Sequence, residues 1–151
     1  MQNLIFILIL NILTNINPVK VNNNFDLTIN INNVPSDKGQ ILVYLYNNKK
    51  DFPKHPTLKK NTEIKSNTAR ITFNNLEKGH YAFVVIHDKN KNNKMDFNLL
   101  HLPKEKSTIS NNAKRFFGPP KFSDASFLLE KDTQITIDFS KSSKKKKHKS
   151  H

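Results

Sequence analysis

The run Asp88-Lys89-Asn90-Lys91-Asn92-Asn93-Lys94-Met95-Asp96 puts oxygen-bearing side chains at loop positions 1, 3, 5 and 9. Loops that wrap calcium use donors at this alternate spacing, because a short backbone can then fold around one hard cation. Asp88, Asn90, Asn92 and Asp96 are thus the candidate metal ligands, with Ca²⁺ as the candidate ion. The pattern is incomplete. Position six is Asn93 where glycine is usual, although asparagine tolerates a left-handed bend. Position twelve is Leu99, so the bidentate glutamate is missing. Lys89, Lys91 and Lys94 further lower the local negative charge, so any site would be weak or partial. The alternative is an asparagine-rich connection held by side-chain-to-backbone hydrogen bonds.

Other chemistry has less to stand on. His87 precedes Asp88 and His80 lies seven residues earlier; an odd separation along a strand sends the two side chains to opposite faces, so they cannot share a metal. No G-x-S-x-G elbow, H-E-x-x-H pair or glycine-rich phosphate loop occurs in a chain with three glycines. With no cysteine, thiolate chemistry and disulfides are excluded. No catalytic residue is assigned and the chain is expected not to be an enzyme; a hydrolase using Asp88, His87 or Asp96 is the alternative. A second distinctive segment runs from Ser110-Asn111-Asn112-Ala113 to Phe122. Its paired prolines, its phenylalanines and its Asx-turn formers describe a long loop of fixed shape. Asn111, Asn112, Phe117 and Phe122, with His87, either line a ligand groove beside the Asp88 loop or close the end of the core.

These loops need strands to carry them. Phe25, Leu27, Ile29 and Ile31 alternate with Asp26, Thr28, Asn30 and Asn32, the period of a half-buried strand. Ile41 to Tyr46 and Tyr81 to Ile86 are apolar on both faces, as in central strands. Pro35 to Gly39 is a turn cluster between the first two of these. Residues 47–66 read as a polar excursion pinned by Phe52 and Leu58. Ala69, Ile71 and Phe73 alternate up to a turn at Asn74 to Gly79, and Ala125 to Leu129 and Ile135 to Phe139 repeat the pattern. Gly79 two residues before Tyr81 suggests the tyrosine corner of Greek-key sandwiches, with plain core as the other reading of Tyr81. About seven strands and no helical periodicity over three turns predict a single all-β domain of two packed antiparallel sheets, with a barrel as the alternative.

Both ends fall outside that domain. Leu4 to Leu13 is long enough for a signal-peptide core and too short to span a bilayer, so residues 1–20 are expected to be an export signal. No Lys or Arg precedes the run, which leaves an uncleaved anchor or a buried strand as alternatives. Residues 21–140 form the sandwich. Residues 141–151 contain only Lys, Ser and His and should be disordered. Lys141 to Lys149 include six of the +13 net charges, leaving +7 elsewhere. The lysines could touch an anionic surface; without arginine and aromatics interleaved in one patch, specific nucleic-acid binding is not expected.

The segments Ser36-Asp37-Lys38-Gly39-Gln40, Phe52-Pro53, Gly79-His80-Tyr81-Ala82, His87-Asp88-x-Asn90-x-Asn92, Ser110-Asn111-Asn112-Ala113 and Phe117-Gly118-Pro119-Pro120-x-Phe122-x-Asp124-Ala125 together resemble the DUF2141 family, an uncharacterised group found in exported bacterial proteins. The resemblance covers about Phe25 to Phe139. It implies a transthyretin-like or immunoglobulin-like sandwich, a secreted or periplasmic location and no established activity. Members usually carry glycines where this chain has Lys91 and Asn93, and the lysine tail lies outside the resemblance. The expected protein is a monomeric, exported, non-catalytic module that binds a protein or carbohydrate ligand. The alternative is a structural envelope protein tethered to anionic polymer or lipid by its tail.

Overall fold

The computed structural model describes residues 23–100, 103–113 and 120–141. The expected export signal, Phe117 and the stretch beyond Lys141 lie outside them. Within the described residues the chain forms β1 (Asn24–Asn32), β2 (Gln40–Tyr46), β3 (Leu58–Thr62), β4 (Ala69–Glu77), β5 (Gly79–Asp88), β6 (Ser107–Ile109), a short helix α1 (Phe122–Ala125), β7 (Phe127–Leu129) and β8 (Thr133–Asp138). One sheet has the order β4-β1-β8 and the other β3-β2-β5-β6, with β7 pairing the start of β5.

Alternation builds the first sheet. Leu27, Ile29 and Ile31 of β1, Ile71 and Phe73 of β4 and Ile137 of β8 point inward and meet Ile41, Val43, Leu45, Tyr81, Phe83 and Val85 of the second sheet in one core. The all-β, two-sheet expectation holds, with eight strands in place of about seven. One detail differs: β8 runs parallel to β1, from Leu27↔Thr133 to Asn32↔Asp138. Period-two alternation determines which face is buried and is blind to the direction of the neighbour, so it could not separate the two arrangements.

β4 also runs past the turn expected at Asn74. Asn75 adopts a left-handed conformation (φ 59°) where the register against β1 shifts by one residue, and this bulge returns Leu76 to the core. The Asp26 carboxylate holds the bulge by accepting the Asn75 N–H at 2.9 Å and an Asn74 amide hydrogen bond at 2.8 Å. Those bonds hold its carboxyl below the usual range, the Asn75 N–H contributing most. Tyr81 is buried and its hydroxyl donates to the Glu77 carbonyl at 3.0 Å, the backward bond of a tyrosine corner.

The second sheet is covered on both faces, which is why β2 and β5 are apolar throughout. Leu42, Tyr46, Ala82, Val84 and Ile86 on its outer face pack with Phe52, Ala125, Met95, Ile109 and Phe122. Phe52 thus pins the 47–66 excursion, edge to face against Tyr46 and Phe122. Leu58 does not; it sits exposed on the short edge strand β3.

Along one edge of β5, β7 pairs Gly79 to Tyr81 and β6 pairs Val84 to Ile86, leaving a gap in the ladder between them. The buried Ser110 hydroxyl fills it, accepting the Phe83 N–H at 3.0 Å and donating to the Ala125 carbonyl at 2.7 Å. Ser110→Ala orphans both buried groups and should lower stability by about 1–3 kcal/mol. Urea denaturation at unchanged m-value reads this directly; an unmoved midpoint would remove the hydroxyl from the account.

Candidate functional site

The register pairs Gln40 with Asp88 and Ile41 with His87, which brings the Ser36 to Gln40 turn against the start of the Asp88 loop. Side chains alternate there. His87 turns to the inner core, fully buried, with Nε2 2.8 Å from the Lys38 carbonyl oxygen. A carbonyl only accepts, so Nε2 carries a hydrogen, and Nδ1 is buried without a hydrogen-bond partner among the described residues. His80, an even-numbered residue, is exposed on the other face, as its spacing requires.

Asp88 turns outward yet is 0% exposed, because the loop folds over it. One carboxylate oxygen accepts Gln40 Nε2 at 2.8 Å and the Asn93 N–H at 2.8 Å, while the other accepts the Asn92 N–H at 3.2 Å. Gln40 Nε2 also reaches Asn93 Oδ1 at 2.9 Å, and Asn61 of β3 donates to the same oxygen at 2.7 Å. Asn90 and Asn92 send amide hydrogen bonds to the two oxygens of Asp96 at 2.7 and 2.9 Å. These donors hold the Asp96 carboxyl below its ordinary range, Asn92 contributing most and Lys94 and Lys104 least. The backbone is left-handed at Lys91 (φ 58°) and Asn93 (φ 61°).

The four ligand-spaced residues are therefore drawn into one network, with amide N–H groups supplying the positive ends that face Asp96. Among the described residues no group of three or more His, Cys, Asp or Glu side chains is placed to hold a metal. A further carboxylate completes the network: Glu105, nearly buried, accepts the Lys89 N–H at 3.0 Å and the Asp96 N–H at 3.3 Å. Sequence reading missed it, since a lone glutamate between Lys104 and Lys106 carries no spacing signal.

The described residues of this segment, 110–113 and 120–122, take their place on the outer face of the second sheet, with Ala113 and Phe122 in its apolar cover. Asn111 and Asn112 are left-handed, and Asn111 donates to the Ser126 carbonyl at 2.8 Å. Phe122 is part of the outer cover, as is Met95 of the Asp88 loop. Both loops thus lie on one face, where Phe122 is a packing residue.

A two-sheet β module whose motif residues build a hydrogen-bonded joint is the class this geometry defines. The chain belongs to the DUF2141 family, described as an uncharacterized protein conserved in bacteria, whose model matches residues 29–137. No curated protein and no solved structure matches it.

Gly39 is where the joint tolerates least. Its φ is +93°, and a β-carbon there would run into the Asp88 carbonyl oxygen and stand 2.6 Å from Lys89 Cα. Gly39→Ala should cost about 2 kcal/mol or more, with the largest amide shifts at residues 88–96; a thermal midpoint within a degree or so of the parent would show that the turn can move aside. In a calcium titration, Asp88 already bonded to Gln40, Asn92 and Asn93 should compete poorly for the ion. Millimolar Ca²⁺ is expected to leave the melting temperature unchanged, and a saturable rise of several degrees would make the loop a metal site.

Proposed function

We propose that the chain is a non-catalytic module exported to the bacterial cell envelope, where the connections at the Asp88 end of its sandwich recognise another surface. One observation carries this reading: the groups at that end with reactive chemistry are engaged inside the protein. His87 is buried against the Lys38 carbonyl and Asp88 is buried under Gln40, Asn92 and Asn93. Glu105 holds two backbone N–H groups. Acid–base or nucleophilic catalysis needs such groups aimed together at a substrate, and His87 and Asp88 face opposite sides of the sheet. What points outward includes lysine, asparagine and the apolar side chains of Phe97, Leu99 and Leu100, the material of a contact surface. Export rests on the apolar run at 4–13, of signal-core length.

Expression of the full chain in a bacterium, followed by fractionation and mass spectrometry of the N-terminus, tests the reading. The expected species lies in the envelope or medium and begins beyond the 4–13 run. Intact Met1 on soluble cytosolic protein would overturn it.

A further inference from the structure

Three large apolar side chains crowd one four-residue stretch with almost no cover: Phe97 is 55%, Leu100 77% and Leu99 99% exposed. The other exposed large apolar residues among the described residues, Leu58 and Leu128, are scattered singly on strands, which is ordinary for a protein surface. The stretch also stands on a fixed base. Phe97 bridges Pro103 in antiparallel fashion, and the Lys104 N–H donates to the Asp96 carbonyl at 2.9 Å. Glu105 clamps the N–H groups of both Asp96 and Lys89. The tip is held out from the body by these bonds instead of folding back onto the outer face beside it.

Cationic side chains are close to the tip. Lys89, Lys94, Lys104 and Lys106 are all exposed, and Lys104 lies directly alongside Phe97, Leu99 and Leu100. Of the acids in the same segment, Asp88 and Glu105 are buried, and the ionised Asp96 has its two oxygens bonded to the Asn90 and Asn92 amides. The apolar tip therefore has an exposed lysine directly beside it and further exposed lysines on the segments that flank it.

We infer that the Phe97 to Leu100 tip is a membrane-docking element that inserts into the interface of an anionic phospholipid bilayer while the surrounding lysines lie at the headgroups. Size separates this occupant from a protein partner. Three such side chains offer on the order of 300 Å² of apolar surface, against roughly 450 Å² of apolar area per partner in a standard protein interface. A bilayer needs less, because reversible anchoring works with two modest signals, a small apolar insertion and a basic patch. Lysine suits the place held by Lys104, since its long apolar stem can follow the tip inward while the ammonium stays wet. The inference rests on the envelope reading above, but lipid binding is measured on purified protein, so an intact Met1 in the cytosol would remove that reading and leave this one standing or falling by itself.

The chain contains no tryptophan, so Leu99→Trp gives a clean reporter at the most exposed position. With vesicles of phosphatidylglycerol and phosphatidylcholine in equal parts, its emission should shift to the blue and be quenched by brominated acyl chains. Phosphatidylcholine alone should give little change. In about 0.5 M salt, where exposed charges are screened within several Å, the Phe97→Ser/Leu100→Ser variant of the full chain should bind the anionic vesicles about tenfold less than the parent. Vesicle binding with unmoved tryptophan emission and no effect of the serine variant would place the binding on the lysine-rich end and overturn the inference. So would failure of the folded parent to bind anionic vesicles at all.

Discussion

A carboxylate buried without partners is among the costliest things a small domain can contain, several kcal/mol even after relaxation, and Asp88 is fully buried. Its position is tolerable only because Gln40, Asn92 and Asn93 all direct N–H groups at it. Gln40 arrives from the start of β2, the other two from the loop after β5. The turn before Gln40 comes close enough only with glycine at position 39. Asp88, the 36–40 turn and the 88–96 loop are therefore one mutually dependent unit, although 48 residues separate Gln40 from Asp88. A slip of one residue in β5 would swing the carboxylate into the inner core and His87 out of it, so the same unit also locks strand register.

The joint has a counterpart further along β5. The ladder would be broken at Phe83 were it not for the Ser110 hydroxyl, which also holds the Ala125 carbonyl at the end of α1. Asn111 adds a bond to the Ser126 carbonyl. These bonds keep the segment that carries Phe122 against Phe52, closing the outer face of the second sheet. Both motif segments thus act by giving a side-chain partner to a backbone or carboxylate group that the regular ladders leave unpaired.

Much of the architecture was legible because burial has a period. The alternations in β1, β4 and β8 and the two-sided runs of β2 and β5 correspond to faces that are buried or covered. Three things were not legible. Strand direction has no signature in alternation, hence the parallel β1–β8 pair. β3 is a polar edge strand, Leu58-Lys59-Lys60-Asn61-Thr62, paired through backbone bonds to β2 and lacking an apolar stripe. The Asn75 bulge shifts the phase of β4, so the strand residues Asn74 to Glu77 looked like a turn. At the site, spacing marked the loop but missed Glu105, whose role depends on where β6 delivers it.

The calcium-like spacing has its own physical reading. Asn90 Oδ1 accepts the Asn92 N–H and Asn92 Oδ1 accepts the Lys94 N–H, each two residues on. Consecutive Asx turns require oxygen acceptors at every second position, the same interval by which a loop presents ligands to a cation. One sequence pattern therefore satisfies two physical demands, and the amide donors on Asp96 meet the one visible in this fold. A loop whose shape comes from its own side chains gives the chain beyond it a fixed starting point: Asp96 leaves the loop already bonded at its carboxylate, its N–H and its carbonyl. From such a base, Phe97 to Leu100 can stay exposed without collapsing onto the apolar cover nearby.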